Sequence, residues 1–146
     1  MQSKICVLQV IPNLDVSGAS QGCVDVANFL SEKNYNSYIL TYSGPKSSEV
    51  KDSNEKVFYA PVHSKNPIKI FFNIIKIIKL IKKLNITIVH ARSRAPAWSS
   101  YFACAVTGAK FITTFHGTYN YSNPIKKYYN SIMLNTNGTI AISKFI

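Results

Sequence analysis

Residues 86–116 read ITIVHARSRAPAWSSYFACAVTGAKFITTFH, and this stretch decides the fold. Ile86–His90 is a short run rich in β-branched residues, the composition of a strand buried on both faces. Ala95–Thr107 follows as a helix that Gly108 stops, and Lys110–Phe115 is again apolar and β-branched. Two buried strands joined by a helix of that length lie parallel, with a right-handed crossover between them.

The alternation continues in both directions. Ile5–Ile11 is a continuous apolar strand that runs through Pro12 into a turn-rich loop ending at Gly18. Residues 19–33 place Cys23, Val26, Ala27 and Leu30 at helical spacing, with Asn34 as the stop. Ser37–Thr41 reads as a second strand, the polar stretch 43–55 as an exposed loop, and Val57–Ala60 as a third strand. Pro67 opens a helix that runs to about Leu84. Beyond the central unit come a helix over 124–135, an Asn137-Gly138 turn, a sixth strand over Thr139–Ile142, and Ser143 as the N-cap of another helix. The expectation is an α/β fold: a doubly wound, Rossmann-like parallel sheet of six strands with helices on both faces. A length of 146 residues suits a single domain.

Composition agrees with a packed core. Hydrophobic residues make up 47% and charged residues 16%, which excludes wholesale disorder, collagen-like repeats and disulfide-dense miniproteins. Cys6, Cys23 and Cys104 show no CxxC spacing and read as reduced core residues in a cytoplasmic protein, with no metal site. Charge is unevenly spread. Residues 1–55 hold all six acids and four lysines, whereas residues 56–146 hold thirteen Lys/Arg and no acid. A polyanionic partner accounts for that asymmetry. Genome composition accounts for it equally, because the abundant Lys, Ile and Asn all carry A/T-rich codons.

The start, Met1–Lys4, lacks the long apolar stretch of a signal peptide. Ile68–Leu84 is the greasiest segment, but Lys69, Lys76, Lys79, Lys82 and Lys83 argue against a spanning helix. Lys69, Asn73, Lys76, Lys79 and Lys83 are spaced as one narrow polar stripe. The expected location is cytoplasmic or peripheral on the inner face of the cell membrane.

In sheets of this kind ligands bind beyond the carboxyl ends of the strands. Three loops there carry useful chemistry. In Ser17-Gly18-Ala19 the glycine permits a tight turn or close approach, and the following helix start attracts an anion. A plain structural turn explains the same residues. Arg92-Ser93-Arg94, beside Trp98, offers paired guanidiniums for a phosphate or carboxylate. Its alternative is a Ser93 helix cap with solvated arginines and a core tryptophan. His116-Gly117-Thr118-Tyr119 sets an imidazole at a strand's end with open backbone beside it. A buried, satisfied histidine is the other reading. His90 reads as packing, and His63 has no assigned role. Dinucleotide, Walker, nucleophile-elbow and zinc-protease motifs are absent from the sequence.

Taken together these loops resemble the N-terminal domain of glycosyltransferase family 4, enzymes of the two-domain GT-B fold. The resemblance rests on Lys4–Leu14 with Ser17-Gly18-Ala19, on Val89–Trp98 and Thr113–Tyr119, and on Tyr129-Asn130-Ser131 and Ile140–Ile146. Ser17 replaces the first of the family's two adjacent glycines, and Ser20 stands where its Glu is usual. The resemblance implies residues 1–146 as a single acceptor-side domain, with the C-terminal nucleotide-sugar domain lying outside the sequence. It implies transfer from a nucleotide-sugar, without cofactor or metal, to a sugar or lipid-linked acceptor in cell-surface glycan or glycolipid synthesis. His116 would contact the transferred sugar in a retaining reaction. Ser17, Gly18 and Ala19 would approach the donor phosphates. Arg92, Ser93, Arg94, Gly117, Thr118 and Tyr119 would line the donor and acceptor crevice. On this reading the chain needs its missing donor-binding partner and is inactive alone. The rival is a non-enzymatic basic module or gene remnant on an anionic membrane surface; nucleic acid ranks last, because no recognition motif occurs.

Overall fold

The computed structural model describes residues 4–145, so Met1–Ser3 and Ile146, used in the sequence reading above, lie outside the described residues. Strands β1 (Cys6–Val10), β2 (Asn36–Thr41), β3 (Val57–Tyr59), β4 (Ile88–Ala91), β5 (Lys110–Phe115) and β6 (Gly138–Ala141) form one sheet in the order β3-β2-β1-β4-β5-β6. Every pair is parallel. The helices are α1 (Gly18–Glu32), α2 (Ser53–Lys56), α3 (Pro67–Leu84), α4 (Arg94–Thr107) and α5 (Pro124–Ser131).

The strand order reverses direction at β1. Right-handed crossovers therefore send α1 and α2 to one face and α3, α4 and α5 to the other. Strand parity splits the core the same way. Cys6, Leu8, Val10, Val89, Ala91, Phe111 and Phe115 pack with Ile77, Leu80 and Ile81 of α3 and Ala97, Ala103 and Cys104 of α4. Ile11 and Ile39 pack with Cys23, Val24 and Ala27 of α1. All three cysteines are free and buried, and burial raises the Cys23 and Cys104 thiols to about 12.

Helix boundaries follow local chemistry. Asn66 caps α3 by accepting from the Ile68 amide at 2.9 Å, and Pro67 fills the first position, where no N–H is needed. Asn85 at φ 54° and Gly108 at φ 79° close α3 and α4 in left-handed conformations.

Several expectations need correction. The stretch 43–55 is not an open loop: Pro45–Glu49 forms a 3-10 turn and Ser53–Lys56 is α2. The helix expected over 124–135 ends at Ser131 and continues as turns. Ser143 lies in a bend and caps no helix among the described residues. The stripe on α3 is not uniformly polar. Asn73 is 1% exposed and donates to the Pro61 carbonyl at 3.0 Å, so it belongs to the buried side. The outward side mixes the five lysines with exposed Ile68, Phe71 and Phe72.

The loop after β1 is hooked onto the loop after β2. Tyr42 donates to Pro12 at 3.1 Å, Leu14 to Ser43 at 2.7 Å, and Lys46 to Leu14 at 3.1 Å, all through backbone groups. Gly44 makes this possible. Its φ is 133°, and a Cβ there would collide with the Leu14 backbone.

Candidate functional site

Parity places Gln9 of β1, His90 and Arg92 at the end of β4, and Thr114 and His116 at the end of β5 on the α1 face of the sheet. Gln9 is fully buried. Its amide donates to the Cys23 carbonyl at 3.0 Å, and its carbonyl accepts from Arg92 Nε at 2.8 Å. Arg92 is thereby held at 7% exposure, with one terminal nitrogen lying over Gly22 of α1. Among the described residues Lys46–Glu49 is the sole salt bridge, so Arg92 is a buried cation without a carboxylate. Burial lowers its pKa from 12.5. A cation in that position favours an incoming anion strongly, because little water competes for it.

The two histidines differ. His90 Nε2 and Thr114 Oγ1 share a 2.6 Å hydrogen bond, which occupies that nitrogen. Burial first, then Arg92 and His116, push its pKa down to about 3, so it stays neutral. His116 Nε2 is buried and has no protein partner. Burial and then Arg92 lower its pKa as well, leaving a neutral imidazole with an unused nitrogen.

Arg92 and His116 meet where two cavities join. A polar crevice of about 390 Å³ lies beyond the strand ends, lined by Asn13, Asp15, Ser17, Ala19, Ser20, Arg92, Ser93, His116, Gly117 and Tyr119. An apolar trench of about 790 Å³ runs from there down the sheet, past Gly18 and Gly22 to Ile88, Ile112, Ile140 and Ile142. Ser17 caps α1 by accepting from the Ser20 amide at 3.2 Å. The start of that helix therefore faces the cavities with its positive dipole end. Gly18 does not adopt a left-handed conformation, so no turn requires it; a Cβ there would meet open space, and the glycine leaves room.

The expected arginine pair is split. Arg92 leaves a strand toward the α1 face, whereas Arg94 opens α4 on the opposite side. Arg94 donates to Asn130 Oδ1 at 2.8 Å, and its guanidinium lies 4.5 Å from the Tyr119 ring centroid. It clamps the 117–123 loop to α5 and does not line the crevice. Ser93 occupies the cap position of α4 but makes no side-chain capping bond. Trp98 is half-buried, stacked among Phe102, Tyr128 and Tyr129, with its indole N–H donated to the Tyr129 carbonyl at 3.2 Å. Thr118 is exposed and lines neither cavity. His63 packs on Tyr42, ring centroids 4.0 Å apart, away from the crevice.

Comparison with known proteins bears directly on this arrangement. The family model described as Glycosyltransferase Family 4 matches residues 16–146. The chain belongs to glycosyltransferase family 4. A glycosyltransferase from Rickettsia africae ESF-5 is 40% identical with a TM-score of 0.77, aligned over 98% of this chain and 38% of that one. MurG of Acinetobacter baumannii is 11% identical with a TM-score of 0.64, over 93% of this chain and 41% of that one. A UDP-N-acetylglucosamine 2-epimerase is 12% identical with a TM-score of 0.57, over 97% and 43%. These last two share the fold. The chain thus spans about two fifths of the length of the solved proteins it resembles. Comparison with curated proteins gives no match.

In this family 4 domain two supporting residues escaped the sequence reading. Gln9 is the sole polar residue in the run Ile5–Ile11, and a polar side chain inside a two-face-buried strand signals a required partner. Thr114 lies two residues before His116 and so shares its face. Among the described residues no helix is long and apolar enough to cross a membrane.

Proposed function

We propose that this chain is the acceptor-side, N-terminal half of a glycosyltransferase that moves a sugar from a nucleotide-sugar to a cell-surface glycan or glycolipid acceptor, with retention of anomeric configuration. The observation that carries the reading is the meeting of Arg92, a buried cation without a counter-charge, and His116, a neutral imidazole with an unpartnered nitrogen. When a sugar leaves a nucleotide diphosphate, negative charge grows on the departing phosphate. Arg92 and the amides at the start of α1 offset that charge, at Ser17, Gly18 and Ala19, in a site already ordered before reaction. His116 hydrogen-bonds the transferred sugar through its free nitrogen, orienting it without becoming charged. The acceptor enters along Ser93, Gly117 and Tyr119. The other wall of the cleft comes from a donor-binding domain or partner chain, and no metal or cofactor is required. Peripheral contact with the cytoplasmic face of an anionic membrane is favoured by exposed Ile68, Phe71 and Phe72 among the α3 lysines.

The test is steady-state kinetics on the enzyme with its donor-binding half. His116→Ala should lower kcat by about 10²–10³-fold with a smaller effect on KM. His63→Ala should leave kcat near normal. Equal kcat in both variants would remove His116 from the chemistry. The 146-residue chain alone should show negligible transfer, and robust turnover would overturn the half-enzyme reading.

A further inference from the structure

Apart from the crevice lies a separate cavity of about 460 Å³, with Lys65, Arg94, Asn120, Lys126 and Tyr129 in its wall. We propose that this cavity binds a phosphate group, and, resting on the transferase reading, that the phosphate belongs to the acceptor.

Three cations converge there from three separate segments: the loop after β3, the start of α4 and the start of α5. None has a carboxylate partner among the described residues, and residues 56–146 contain no acid at all. Two of the cations are held on aromatic faces. Arg94 lies over Tyr119 at 4.5 Å and Tyr129 at 5.7 Å, and Lys65 Nζ lies 5.6 Å from the Tyr129 centroid. Arg94 spends one N–H on Asn130 and keeps others for a ligand. Tyr129 Oη is buried and has no hydrogen-bond partner. Lys126 stands in the first turn of α5, where the helix dipole already repels a cation and no acid compensates it. The unpartnered phenol and the cation at the start of α5 are both relieved by an anion.

A set of charged N–H donors with a phenol and an amide suits a group that presents several acceptor oxygens and about two charges, which is a phosphate ester. The position also fits. Tyr119 lines the crevice and carries Arg94 over its ring. Arg94 therefore stands in the wall of this cavity while its guanidinium touches a residue of the crevice. Such a phosphate comes either from a soluble sugar phosphate or from a lipid headgroup. Ile125, 78% exposed at the rim, offers an apolar neighbour for the latter.

Titration of the 146-residue chain with inorganic phosphate at constant ionic strength, followed by amide chemical shifts, tests the site. A set of shifts at Lys65, Asn120, Lys126 and Tyr129 should appear beside the set that the donor-phosphate site gives at Ser17–Ser20 and Arg92. Lys65→Ala/Lys126→Ala should weaken binding by roughly tenfold or more; both side chains are exposed, so the fold survives their removal. Shifts confined to Ser17–Ser20 and Arg92, or unchanged affinity of the second site in the double variant, would overturn the proposal. Pelleting with phosphatidylcholine vesicles containing phosphatidic acid separates the sources. Glycerol 3-phosphate should compete fully for a soluble-ester site and poorly for a lipid-borne one; both results support a phosphate site. Pelleting abolished by Lys76→Ala/Lys79→Ala yet untouched by Lys65→Ala/Lys126→Ala would count against it. His116→Ala should leave phosphate affinity at this second cavity unchanged, so a failed transferase and a failed phosphate site give different results.

Discussion

The sheet has one sealed face and one open face. Under α3 and α4, Leu8, Val10, Val89 and Ala91 are essentially removed from water and belong to one apolar cluster. On the α1 side the cover stops near β1, and the surface over β4, β5 and β6 is a trench whose far wall, Ile140 and Ile142, stands 47% and 57% exposed. The difference lies in content as well as cover. Gln9, His90, Arg92, Thr114 and His116 all face the open side. In a parallel sheet the two faces are separated by single-residue parity, so a strand can stabilise with one set of side chains and bind with the alternate set.

Substitutions on the two faces should therefore behave in opposite ways. The largest stability loss belongs to the sealed face: Leu8→Ala removes a fully buried side chain and should cost about 2–5 kcal/mol in urea unfolding. A loss below that of any open-face variant would break the comparison.

Acid should act through the open face. Unfolded His90 takes up its proton near 6.5, whereas the folded residue resists until about 3. Between those values the unfolded chain binds more protons, so stability falls as pH drops through the window, at up to about 1.4 kcal/mol per pH unit for this residue. His116, whose pKa is also lowered, adds in the same direction. His90→Gln keeps a partner for Thr114 and should flatten the slope of the urea midpoint between pH 7 and pH 4. An unchanged slope would mean that other groups set it.

Arg92→Met should separate stability from binding. Replacing a buried, uncompensated cation by an apolar side chain of similar length should change unfolding free energy by no more than about 1–2 kcal/mol, in either direction. The same variant should lose most transferase activity in the enzyme with its donor-binding half. Retained activity would detach Arg92 from the site. The smallest effect is expected at the trench wall: Ile140→Ser, half-exposed, should shift stability by less than about 0.5 kcal/mol.

Much of this was legible in the sequence because parallel strands buried on both faces leave long apolar runs. Lys110–Phe115 falls at the expected residues for that reason, and Pro67–Leu84 because a proline marks the first turn of a helix. Short polar elements carried no such signal, so Pro45–Glu49 and Ser53–Lys56 read as loop. Asn73 was misplaced because residue type suggested solvent, while a loop carbonyl at Pro61 called it inward. The arginines looked like a pair because they are two residues apart. That spacing keeps a common face only while the strand lasts, and β4 ends at Ala91. The Lys65–Arg94–Lys126 cavity was invisible, since its residues are far apart in sequence and meet through the 117–123 loop.

Gly44 closes the account of the first loop. By clearing space for the Leu14 backbone, it lets three backbone hydrogen bonds pin the segment that leads to Ser17 and the start of α1. A segment pinned in this way cannot swing to follow a ligand. The entropy of ordering it is spent when the chain folds rather than when a ligand arrives, so under the transferase proposal this side of the cleft is a fixed template and any induced fit falls to the opposing wall.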